Sequence, residues 1–571
     1  MPVIATAGHV DHGKSSLVQA LTGTNPDRFE EERRRGLTID LGFAHCRLPS
    51  GAELSFVDVP GHVRFVGNML AGVADVDACV FVVAATEGWK PQSEEHLRIL
   101  QLLGLRHGLV VLTMSDLVDD EWLQLQQLEV RDRLAGTFLA DAPMVQFSSR
   151  SGAGMVDLVA ALETLASTTP AAADRGRPRL WIDRVFAAKG SGTVVTGTLT
   201  GGSVVADQHL QVVPGGVDVR VRGLQTHGRQ VPQLAPGNRA ALNLVGISYD
   251  RLARGDALVV DAQWRPTMRF DASLHVLATV GHDVSRRGAY VVHIGSGEFV
   301  ARVRVLGLQV IAPGGDGLVR MHLAQPLPLV PGDRFVLRES GRSETVGGGE
   351  VLDVAPVLPA SKARPDRDVH RVVAERGVID VDELQAITGE GQTATVGHWV
   401  MSASTRDAYL AGLRAQLADA VDGLDVSLLD GPRRALLAEL GDVRVDAGIA
   451  RLMTATDPYS DHPFVERLLE GGSTPPDPDG VERNELRELV RRGVVVERDG
   501  IYFHPDAVDA AAQRAAALLR VQPDGFTVGE LREALGTSRK YAVPLAGELD
   551  ARGITRRRGD RRIAGPRLPS A

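Results

Sequence analysis

The chain has only two cysteines among its 571 residues, Cys46 and Cys79, and both lie in or beside apolar stretches. So few cysteines argue against disulfide bonds and against a thiolate metal site. Neither end shows the basic and then apolar pattern of a signal peptide, and no run of about 18 apolar residues indicates a membrane span. We therefore expect a cytoplasmic protein without a membrane contact.

The chain also lacks an overall excess of positive charge, since its formal net charge is −9. Composition alone therefore does not indicate nucleic-acid binding. The segment after Arg520 is the exception, because Arg and Lys outnumber Asp and Glu there. Hydrophobic residues make up 44% of the chain, which suffices for globular folding. At one domain per roughly 150 residues, the length predicts several domains.

The most informative stretch is GHVDHGKS at residues 8–15, which follows the apolar run Val3 to Ala7 and precedes a helix-like segment. Two glycines that bracket four residues allow successive backbone N–H groups to surround a phosphate. Lys14 can then reach the β and γ phosphate oxygens, and the Ser15 hydroxyl can coordinate Mg²⁺. The predicted nucleotide-binding residues of this loop are Asp11, His12, Gly13, Lys14, Ser15 and Ser16.

A charged segment at residues 25–35 lacks apolar periodicity and is followed closely by Thr38. Such a segment can close over a bound γ-phosphate, and the Thr38 hydroxyl can then complete the coordination of Mg²⁺. Taken alone, the segment is better explained as an ordinary surface loop.

A predicted β-hairpin at residues 42–59 leads into the sequence DVPGH. Asp58, at the end of the strand, can hold Mg²⁺ through water, and the Gly61 amide can contact the γ-phosphate. His62 stands where a side chain can orient the attacking water. A single histidine is more often structural, but its place directly after Asp-x-Pro-Gly favours a catalytic role.

Apolar runs and helical periodicity alternate through the first 170 residues. Strands that alternate with helices indicate a mainly parallel α/β sheet, with the ligand at the carboxyl ends of the strands. The predicted strands are 79–84, 109–114 and 144–147, and the predicted helices are 91–103 and 155–165.

The motifs GHVDHGKS, RGLTI and DVPGH, at residues 8–15, 35–39 and 58–62, resemble the G domain of translational GTPases of the elongation factor Tu group. The resemblance implies a GTPase that uses GTP and Mg²⁺. It also implies an apolar gate that holds the catalytic histidine back until the ribosome acts. The implied residues are Lys14, Ser15, Thr38 and Asp58 for phosphate and Mg²⁺, His62 for the hydrolytic water, and Val10 and Leu37 for the gate.

The guanine-recognition motif of this family, Asn-Lys-x-Asp, is replaced here by Thr113-Met114-Ser115-Asp116. Asp116 can still accept two hydrogen bonds from guanine, so GTP is expected rather than ATP. Met114 offers the base an apolar surface without the charge of Lys, and Thr113 has a shorter reach than Asn. We hypothesise that nucleotide binding is weaker than in the usual family member. The predicted nucleotide site also includes the turn residues Ser148 and Ser149.

Short strands broken by Gly and Pro turns predict two small β-barrels between residues 180 and 353. The sequences GTVVTG at 192–197 and PGNR at 236–239 are similar to the second domain of these factors, which holds the aminoacyl end of tRNA. The sequence PGDRF at 331–335 resembles their third domain.

Asp183, Arg184 and Arg239 align with positions implicated in the subgroup of these factors that carries selenocysteine. That subgroup needs positive charge, because a selenol is ionised at neutral pH whereas the side chains of Ser and Cys are largely neutral. Two arginines on a barrel rim are otherwise ordinary surface residues. The resemblance therefore makes these three residues the predicted aminoacyl pocket.

The last 200 residues carry internal repeats. Residues 492–500 match residues 552–560, and residues 381–389 are similar to residues 528–536. The first pair describes a helix end followed by a strand, a tight turn and a return strand, which is a wing. The repeats predict three or four winged-helix modules of roughly 60 residues each.

In the last module a predicted helix, 538–550, leaves Arg539 and Lys540 exposed beside the wing. A run of charge is usually a solvated face, but its place on both a recognition-like helix and a wing favours phosphate binding. Residues 536–544 and 555–562 resemble the terminal module of the selenocysteine-specific elongation factors, which grips a hairpin in selenoprotein mRNA. The predicted RNA-binding residues are Arg539, Lys540, Arg556, Arg557, Arg558, Arg561 and Arg562.

We therefore predict a multidomain chain with an α/β P-loop GTPase domain at 1–170, β-barrels at 171–262 and 263–357, and tandem winged-helix (α+β) modules at 358–571, the last at about 508–571. By resemblance, it is a GTP-dependent elongation factor that delivers selenocysteinyl-tRNA to the ribosome at UGA codons. A selenoprotein mRNA hairpin, bound by the winged helices, would recruit it. We expect it to act as a monomer.

Two other functions remain open. A metabolic GTPase with the same three-domain body, such as one that drives sulfate activation, leaves the winged-helix extension unexplained. A winged-helix nucleic-acid-binding regulator with a GTPase switch leaves the aminoacyl barrel unexplained. A preference for an RNA hairpin over duplex DNA would separate the regulator from the elongation factor.

Overall fold

The computed structural model describes residues 2–26, 38–188, 192–342, 344–420, 423–453, 459 and 461–569. The chain forms two compact units, residues 1–407 and 408–571. Within the described residues, no helix combines the length and the apolar character needed to cross a membrane.

The first domain has an α/β fold, in which a six-stranded sheet carries helices on both faces. Its elements are β1 (Val3–Ala7), α1 (Lys14–Thr22), β2 (Gly42–Arg47), β3 (Glu53–Asp58), α2 (Val66–Val73), β4 (Ala78–Ala84), α3 (Pro91–Leu102), β5 (Gly108–Thr113), α4 (Asp120–Leu134), β6 (Met144–Gln146) and α5 (Met155–Thr168). The strand order is β2-β3-β1-β4-β5-β6, and only the β2–β3 pair is antiparallel. The parallel α/β prediction is therefore confirmed.

The core of this domain follows from its continuous apolar strands. All seven residues of β4 are buried, as expected for a central parallel strand that is covered on both faces. Helices α1 and α5 pack on one face, and α2, α3 and α4 pack on the other. The sequence analysis did not predict α2 or α4; α4 is mostly polar, with a weak apolar stripe.

The second domain is a small β-barrel. Its strands are β7 (Arg179–Trp181), β8 (Arg184–Ala188), β9 (Gly192–Thr200), β10 (Val204–Val205), β11 (His209–Val213), β12 (Val217–Thr226), β13 (Arg229–Val231), β14 (Gln233–Leu234), β15 (Asn238–Val245) and β16 (Ala257–Val259). The order β11-β16-β7-β9-β15-β12 closes because β12 also pairs with β11. The sequence pattern predicts a single strand over residues 180–186. This prediction is wrong, because the chain breaks at Asp183 between β7 and β8, which pair with opposite ends of β9.

The third domain is a closed six-stranded barrel with the order β17-β20-β19-β18-β21-β22. Its strands are β17 (Thr267–Val276), β18 (Tyr290–Ile294), β19 (Gly297–Leu306), β20 (Asp316–Leu327), β21 (Arg334–Glu339) and β22 (Glu344–Asp353). The sequence pattern predicts strands in the regions of β17 to β21 but not β22, because its three consecutive glycines do not resemble a strand. They are required by close packing, since a Cβ at Gly349 would lie 1.9 Å from the Ser273 carbonyl oxygen.

The described part of the C-terminal region combines short helices with four small antiparallel sheets, as expected for helix-and-wing modules. The number of modules stays a prediction. Their helices are α6 (Val369–Arg376), α7 (Val381–Thr388), α8 (Ala403–Asp419), α9 (Gly431–Leu437), α10 (Pro463–Gly471), α11 (Arg483–Arg491), α12 (Pro505–Val521), α13 (Val528–Leu535) and α14 (Arg539–Ala551). Their strands are β23 (Val378–Asp380), β24 (Trp399–Met401), β25 (Leu424–Asp425), β26 (Val443–Asp446), β27 (Ile449–Leu452), β28 (Val496–Arg498), β29 (Ile501–Phe503), β30 (Phe526–Thr527), β31 (Thr555–Arg558) and β32 (Arg561–Ala564).

The last module has clear signals at the ends of its second helix. A capping box between Thr527 and Glu530 begins α13, and Gly536 in the left-handed region ends it. Helix α14 buries Leu545 and Leu549 against α12 and α13, and the strands form a sheet in the order β30-β32-β31. This arrangement leaves the wing strands at the surface of the module.

Candidate functional site

The predicted phosphate-binding loop connects β1 to α1 and depends on its two glycines. Gly8 has φ +134°, and a Cβ there would lie 2.1 Å from the Val82 carbonyl oxygen, so only glycine fits. Gly13, with φ +82°, directly precedes the first residue of α1. Lys14 Nζ donates to the carbonyl oxygens of Gly8 at 3.1 Å and His9 at 2.6 Å. A helix N-terminus and an ammonium group together favour a bound phosphate.

The remaining predicted residues of the loop differ in exposure. Asp11 is exposed and has φ 63°, and Ser16 is exposed in the first turn of α1. Val10, one predicted gate residue, is half-buried. Leu37, the other, lies outside the described residues.

Two buried histidines, His12 within the loop and His96 packed against it, remain uncharged at neutral pH. Burial, helped by the nearby His9 and Lys14, lowers the pKa of His12 to about 4. His96, on α3, accepts a hydrogen bond from the Gly8 backbone N–H at 3.1 Å through Nδ1. Burial lowers its pKa to about 3. The sequence analysis missed His96, which lies 88 residues from Gly8 in the chain. Lys14 therefore carries the positive charge of the loop without competition from charged imidazoles.

Ser15, Thr38 and Asp58 meet beside the loop, and we call these three residues the oxygen cluster. Ser15 Oγ lies 2.6 Å from Asp58 Oδ2 and 2.9 Å from Thr38 Oγ1. Asp58 is fully buried, and its Oδ1 accepts a hydrogen bond from the Thr6 hydroxyl at 2.6 Å. Hydroxyl and carboxylate oxygens are the protein ligands that Mg²⁺ takes beside nucleotide phosphates. The donor set therefore fits Mg²⁺.

The turn after β3 approaches the loop closely. A Cβ on Gly61 would lie 2.5 Å from Lys14 Nζ and 2.6 Å from the Val10 backbone nitrogen, so glycine is needed there. His62 follows and is half-buried, and its Nδ1 accepts a hydrogen bond from the Arg64 backbone N–H at 3.2 Å. In the neutral ring the proton is then on Nε2. The fold thus brings His62 next to the phosphate-binding loop.

The residues predicted to recognise guanine follow β5 and β6. The Thr113 hydroxyl donates to the His12 carbonyl oxygen at 2.6 Å, so it fixes the phosphate-binding loop. Met114 has φ 55° and is half-buried, and Asp116 is exposed. Ser148 is buried and Ser149 is exposed in the turn after β6. The structure therefore gives Thr113 a role in positioning the loop.

The predicted aminoacyl pocket lies on the second domain, at the break between β7 and β8. Asp183 is buried and pairs with the Arg239 guanidinium, and it accepts a hydrogen bond from the Thr196 hydroxyl at 2.6 Å. Burial alone would raise the pKa of Asp183, but the charge and hydrogen bonds of Arg239 outweigh it and hold that pKa below its usual range. Asp183 therefore stays ionised and fixes Arg239 in place.

Both arginines of the pocket face the first domain. The guanidinium groups of Arg184 and Arg239 each lie 4.1 Å from the centre of the Phe43 ring, on β2. Arg184 also donates to the Leu41 carbonyl oxygen. A cavity of about 240 Å³ opens here between the two domains. With Arg239 paired to the ionised Asp183, the three predicted residues together carry one net positive charge, which suits an anionic side chain. The sequence analysis did not foresee the contact of both arginines with Phe43.

The predicted RNA-binding residues of the last module fall into two groups. Six are exposed, and we call these the basic surface; the seventh, Arg562, is buried and pairs with Asp550 at 2.9 Å. The sequence prediction differs from the structure at Arg562, because neighbouring residues of a strand point to opposite faces. The basic surface consists of Arg539, Lys540, Arg556, Arg557, Arg558 and Arg561.

The basic surface is held by few contacts. Lys540 pairs with Asp477 at 3.2 Å and lies 5.2 Å from the centre of the Tyr541 ring. Arg561 donates to the Gly525 carbonyl oxygen at 2.8 Å, and Arg557 donates to the Gly559 carbonyl oxygen at 3.2 Å. Exposed guanidinium groups on a helix N-terminus and a wing suit the phosphates of a nucleic acid.

Three family descriptions match parts of the chain. They are "Elongation factor Tu GTP binding domain" for residues 1–168, "Selenocysteine-specific elongation factor, beta-barrel domain" for residues 272–357, and "Elongation factor SelB, winged helix" for residues 517–564. With the phosphate-binding loop and the oxygen cluster, the first match defines the class of protein: a GTPase of the elongation factor Tu type.

Full-length relatives narrow this class. The selenocysteine-specific elongation factor of Desulfomicrobium baculatum is 33% identical over 98% of this chain and 99% of its own length. That of Escherichia coli (strain K12) is 30% identical over 98% of each. The chain belongs to the family of selenocysteine-specific elongation factors. These relatives support neither of the two alternative functions, the sulfate-activation GTPase and the winged-helix regulator.

Solved structures agree on the fold. The crystal structure of a bacterial selenocysteine-specific elongation factor, EF-Sec, matches with a TM-score of 0.76 over 99% of each chain, at 24% identity. The factor SelB from Methanococcus maripaludis, solved in complex with the GTP analogue GppNHp, matches with a TM-score of 0.55 over 62% of this chain and 80% of its own. The four-part architecture predicted from the sequence is therefore confirmed as a fold.

Proposed function

We propose that this GTPase delivers selenocysteinyl-tRNA to ribosomes at UGA codons and is recruited there by a hairpin in selenoprotein mRNA. It would act in the cytoplasm as a monomer. The observation that carries the proposal is the pair Arg184 and Arg239 at one cavity, with Arg239 fixed by the buried Asp183. A selenol is an anion at neutral pH, and fixed positive charge at the cavity would favour it over a hydroxyl.

The oxygen cluster and the loop supply the nucleotide chemistry. The loop amides and Lys14 would hold the β and γ phosphates, and Asp116 would recognise guanine. Ser15 and Thr38 would hold Mg²⁺ directly, and Asp58 would hold it through water. When bound, the ion would supply charge neutralisation for the phosphate oxygens. Val10 and Leu37 would form an apolar gate that holds His62 back. When the ribosome moves His62 past this gate, its side chain would orient the attacking water. Ser148, Ser149 and Met114 would complete the base pocket.

Loss of the γ-phosphate would release the segment at Thr38 and with it the tRNA. Switch segments of GTPases are ordered by contacts to the γ-phosphate and released on hydrolysis. The segment that starts at Thr38 leads within five residues to Phe43, whose ring contacts both pocket arginines. Hydrolysis at one site would therefore reach the aminoacyl pocket along a short length of chain.

The basic surface would bind the mRNA hairpin and raise the local concentration of the factor at the correct codon. Its six cationic side chains are exposed on α14 and on the wing strands β31 and β32. Arg562 is left out of this surface because it is buried against Asp550.

An ester-protection assay tests the proposal. The hydrolysis rates of selenocysteinyl-tRNA and of seryl-tRNA on the same tRNA body are measured at saturating GTP, with and without the protein. We expect protection of the selenocysteinyl ester and little protection of the seryl ester. Absence of protection for both esters would contradict a role as tRNA carrier.

A further inference from the structure

Arg254 lies on the second domain, just before β16, and its guanidinium reaches three separate parts of the chain. Nη2 donates to Asp40 Oδ1 at 2.6 Å, and Nη1 donates to Asn68 Oδ1 at 2.9 Å. Nε donates to the Asp183 backbone carbonyl oxygen at 3.0 Å. The side chain is 30% exposed and its partner Asp40 is 22% exposed, so solvent screens this ion pair only in part.

Two of these contacts lie on the segments that flank the nucleotide site. Asp40 is two residues after Thr38 of the oxygen cluster. Asn68 is on α2, the helix that follows the turn at His62, and its Nδ2 donates to the Ile39 carbonyl oxygen at 2.8 Å. Asn68 therefore ties the two flanking segments together, and Arg254 binds both.

The third contact lies in the aminoacyl pocket. Asp183 is the buried carboxylate that fixes Arg239, and Arg184 is the next residue in the chain. A hydrogen bond to the Asp183 carbonyl oxygen holds the backbone at the break between β7 and β8. One side chain thus joins the nucleotide switch segments to the backbone that carries the pocket residues.

Arginine suits this position because its planar guanidinium presents several donors in fixed directions. A lysine has one ammonium group on a flexible stem and cannot reach three acceptors in a plane. The bond to Asp40 is charge-assisted and is the strongest of the three. The set of hydrogen bonds made by Arg254 is therefore sensitive to the position of Asp40.

We propose that Arg254 is a positioning residue that couples the nucleotide state to the aminoacyl pocket, a role that rests on the proposed function in tRNA delivery. When Thr38 occupies its position in the oxygen cluster, Asp40 and Asn68 accept hydrogen bonds from Arg254. Arg254 then also holds the backbone at Asp183. When the segment at Thr38 moves, Arg254 loses its charged partner and its hold on that backbone weakens. The pocket then has different affinities for the aminoacyl end in the two nucleotide states.

The first test measures the affinity for selenocysteinyl-tRNA by ester protection, with a non-hydrolysable GTP analogue and with GDP. We expect Arg254→Gln to reduce the ratio of the two affinities by about tenfold or more, as for loss of hydrogen bonds to a charged group. Arg251→Gln, which removes an exposed arginine three residues earlier, is the matched control and should leave the ratio unchanged. An unchanged ratio in Arg254→Gln overturns the proposal.

A double-mutant cycle with Asp40→Asn separates coupling from general destabilisation. If Arg254 acts through Asp40, the double variant should lose no more of the ratio than Arg254→Gln alone. Arg254→Lys should keep an intermediate ratio, since it retains the charge but not the planar fork. Losses that add fully in the double variant would show that the two residues act separately, and would overturn the proposal.

A second measurement does not need tRNA. Amide hydrogen exchange of the full chain is compared with the GTP analogue and with GDP. We expect the peptide that contains Asp183 to change its exchange between the two states in wild type, and to change much less in Arg254→Gln. An equal change in both proteins, or no change in wild type, overturns the coupling. If the change follows the expectation while no ester is protected, the tRNA proposal fails and the coupling stands.

Discussion

The nucleotide site of the first domain, which includes the oxygen cluster, and the basic surface of the last module both serve phosphates in our account, but they are built differently. Asp58 of the oxygen cluster is fully buried, and hydrogen bonds from Thr6 and Ser15 fix its oxygens. The six cations of the basic surface are exposed and held by few contacts. Buried, fixed groups suit one ligand geometry, whereas exposed cations suit a ligand that is recognised mainly through its charge.

The comparison also separates two consequences of substitution. Changing a fixed group beside the nucleotide should act on the chemical step, because it alters the geometry of the reacting atoms. Changing an exposed cation should act on affinity and on its salt dependence. The following predictions test this division.

The largest effect is expected for His62→Ala. If His62 orients the attacking water, ribosome-stimulated GTP hydrolysis should fall by about 10²–10⁴-fold, as for loss of a general acid or base. GTP affinity should stay the same, because His62 does not hold the nucleotide in our account. Single-turnover hydrolysis and nucleotide titration measure the two quantities. Equal losses in both would place His62 in nucleotide binding instead.

The next effect concerns the basic surface. Combined substitution of Arg556, Arg557 and Arg558 by Gln should weaken binding of a selenoprotein mRNA hairpin. It should also flatten the plot of log affinity against log salt by about 2, since each phosphate contact contributes about 0.7–0.9 to its slope. Titrations at several salt concentrations measure this slope.

Arg562→Gln is the matched control for the basic surface, because it removes the same charge from the same wing. It breaks a buried pair with Asp550 and should lower the free energy of unfolding by about 1–3 kcal/mol. The salt slope should stay as in wild type. A slope that flattens as much as for an exposed arginine would show that Arg562 contacts RNA.

A third, smaller effect concerns pH. His12 and His96 have folded pKa values of about 4 and about 3, below the usual value of 6.5. The unfolded chain therefore takes up protons first, and stability that is fully present above about pH 6.5 is lost as the pH falls towards 4. At pH 5 the loss should be up to about 2 kcal/mol for each histidine. Urea unfolding at pH 7 and pH 5 should show a smaller difference for His96→Gln than for wild type. Equal differences would contradict burial as the cause.

The smallest effect is expected at Met114. Met114→Lys restores the family residue at this position and should raise guanine-nucleotide affinity by a few fold, roughly as for one exposed charged contact. Met114→Leu keeps an apolar side chain and should leave the affinity unchanged. Titration with a fluorescent guanine nucleotide decides this. No gain in Met114→Lys would remove the hypothesis of weakened nucleotide binding.

The local features of the first domain were predictable from the sequence because they depend on neighbouring residues. The glycines of the phosphate-binding loop are needed for backbone geometry, as the 2.1 Å approach of a Cβ at Gly8 to Val82 shows. The same holds for the helices of the last module, where caps mark both ends of α13. Such signals lie within a few residues of the feature that they specify.

Other features depend on contacts between distant parts of the chain, and the sequence did not reveal them. His96 meets Gly8 across 88 residues, and Arg254 meets Asp40 across 214 residues. Arg562 belongs to an arginine-rich wing and was therefore predicted to bind RNA. The pairing of β32 instead turns its side chain towards Asp550. Composition and spacing do not specify which face of a strand will be covered.

The central claim is that fixed positive charge at the cavity of the second domain selects the selenol of the aminoacyl end. The most direct measurement compares ester protection for selenocysteinyl-tRNA and cysteinyl-tRNA on the same tRNA body, in wild type and in Arg239→Gln. The two side chains differ little in size, but the selenol is ionised at neutral pH. Our account predicts strong preference for selenocysteinyl-tRNA in wild type and loss of most of that preference in Arg239→Gln. Equal protection of both esters by wild type, or an undiminished preference in the variant, would contradict it.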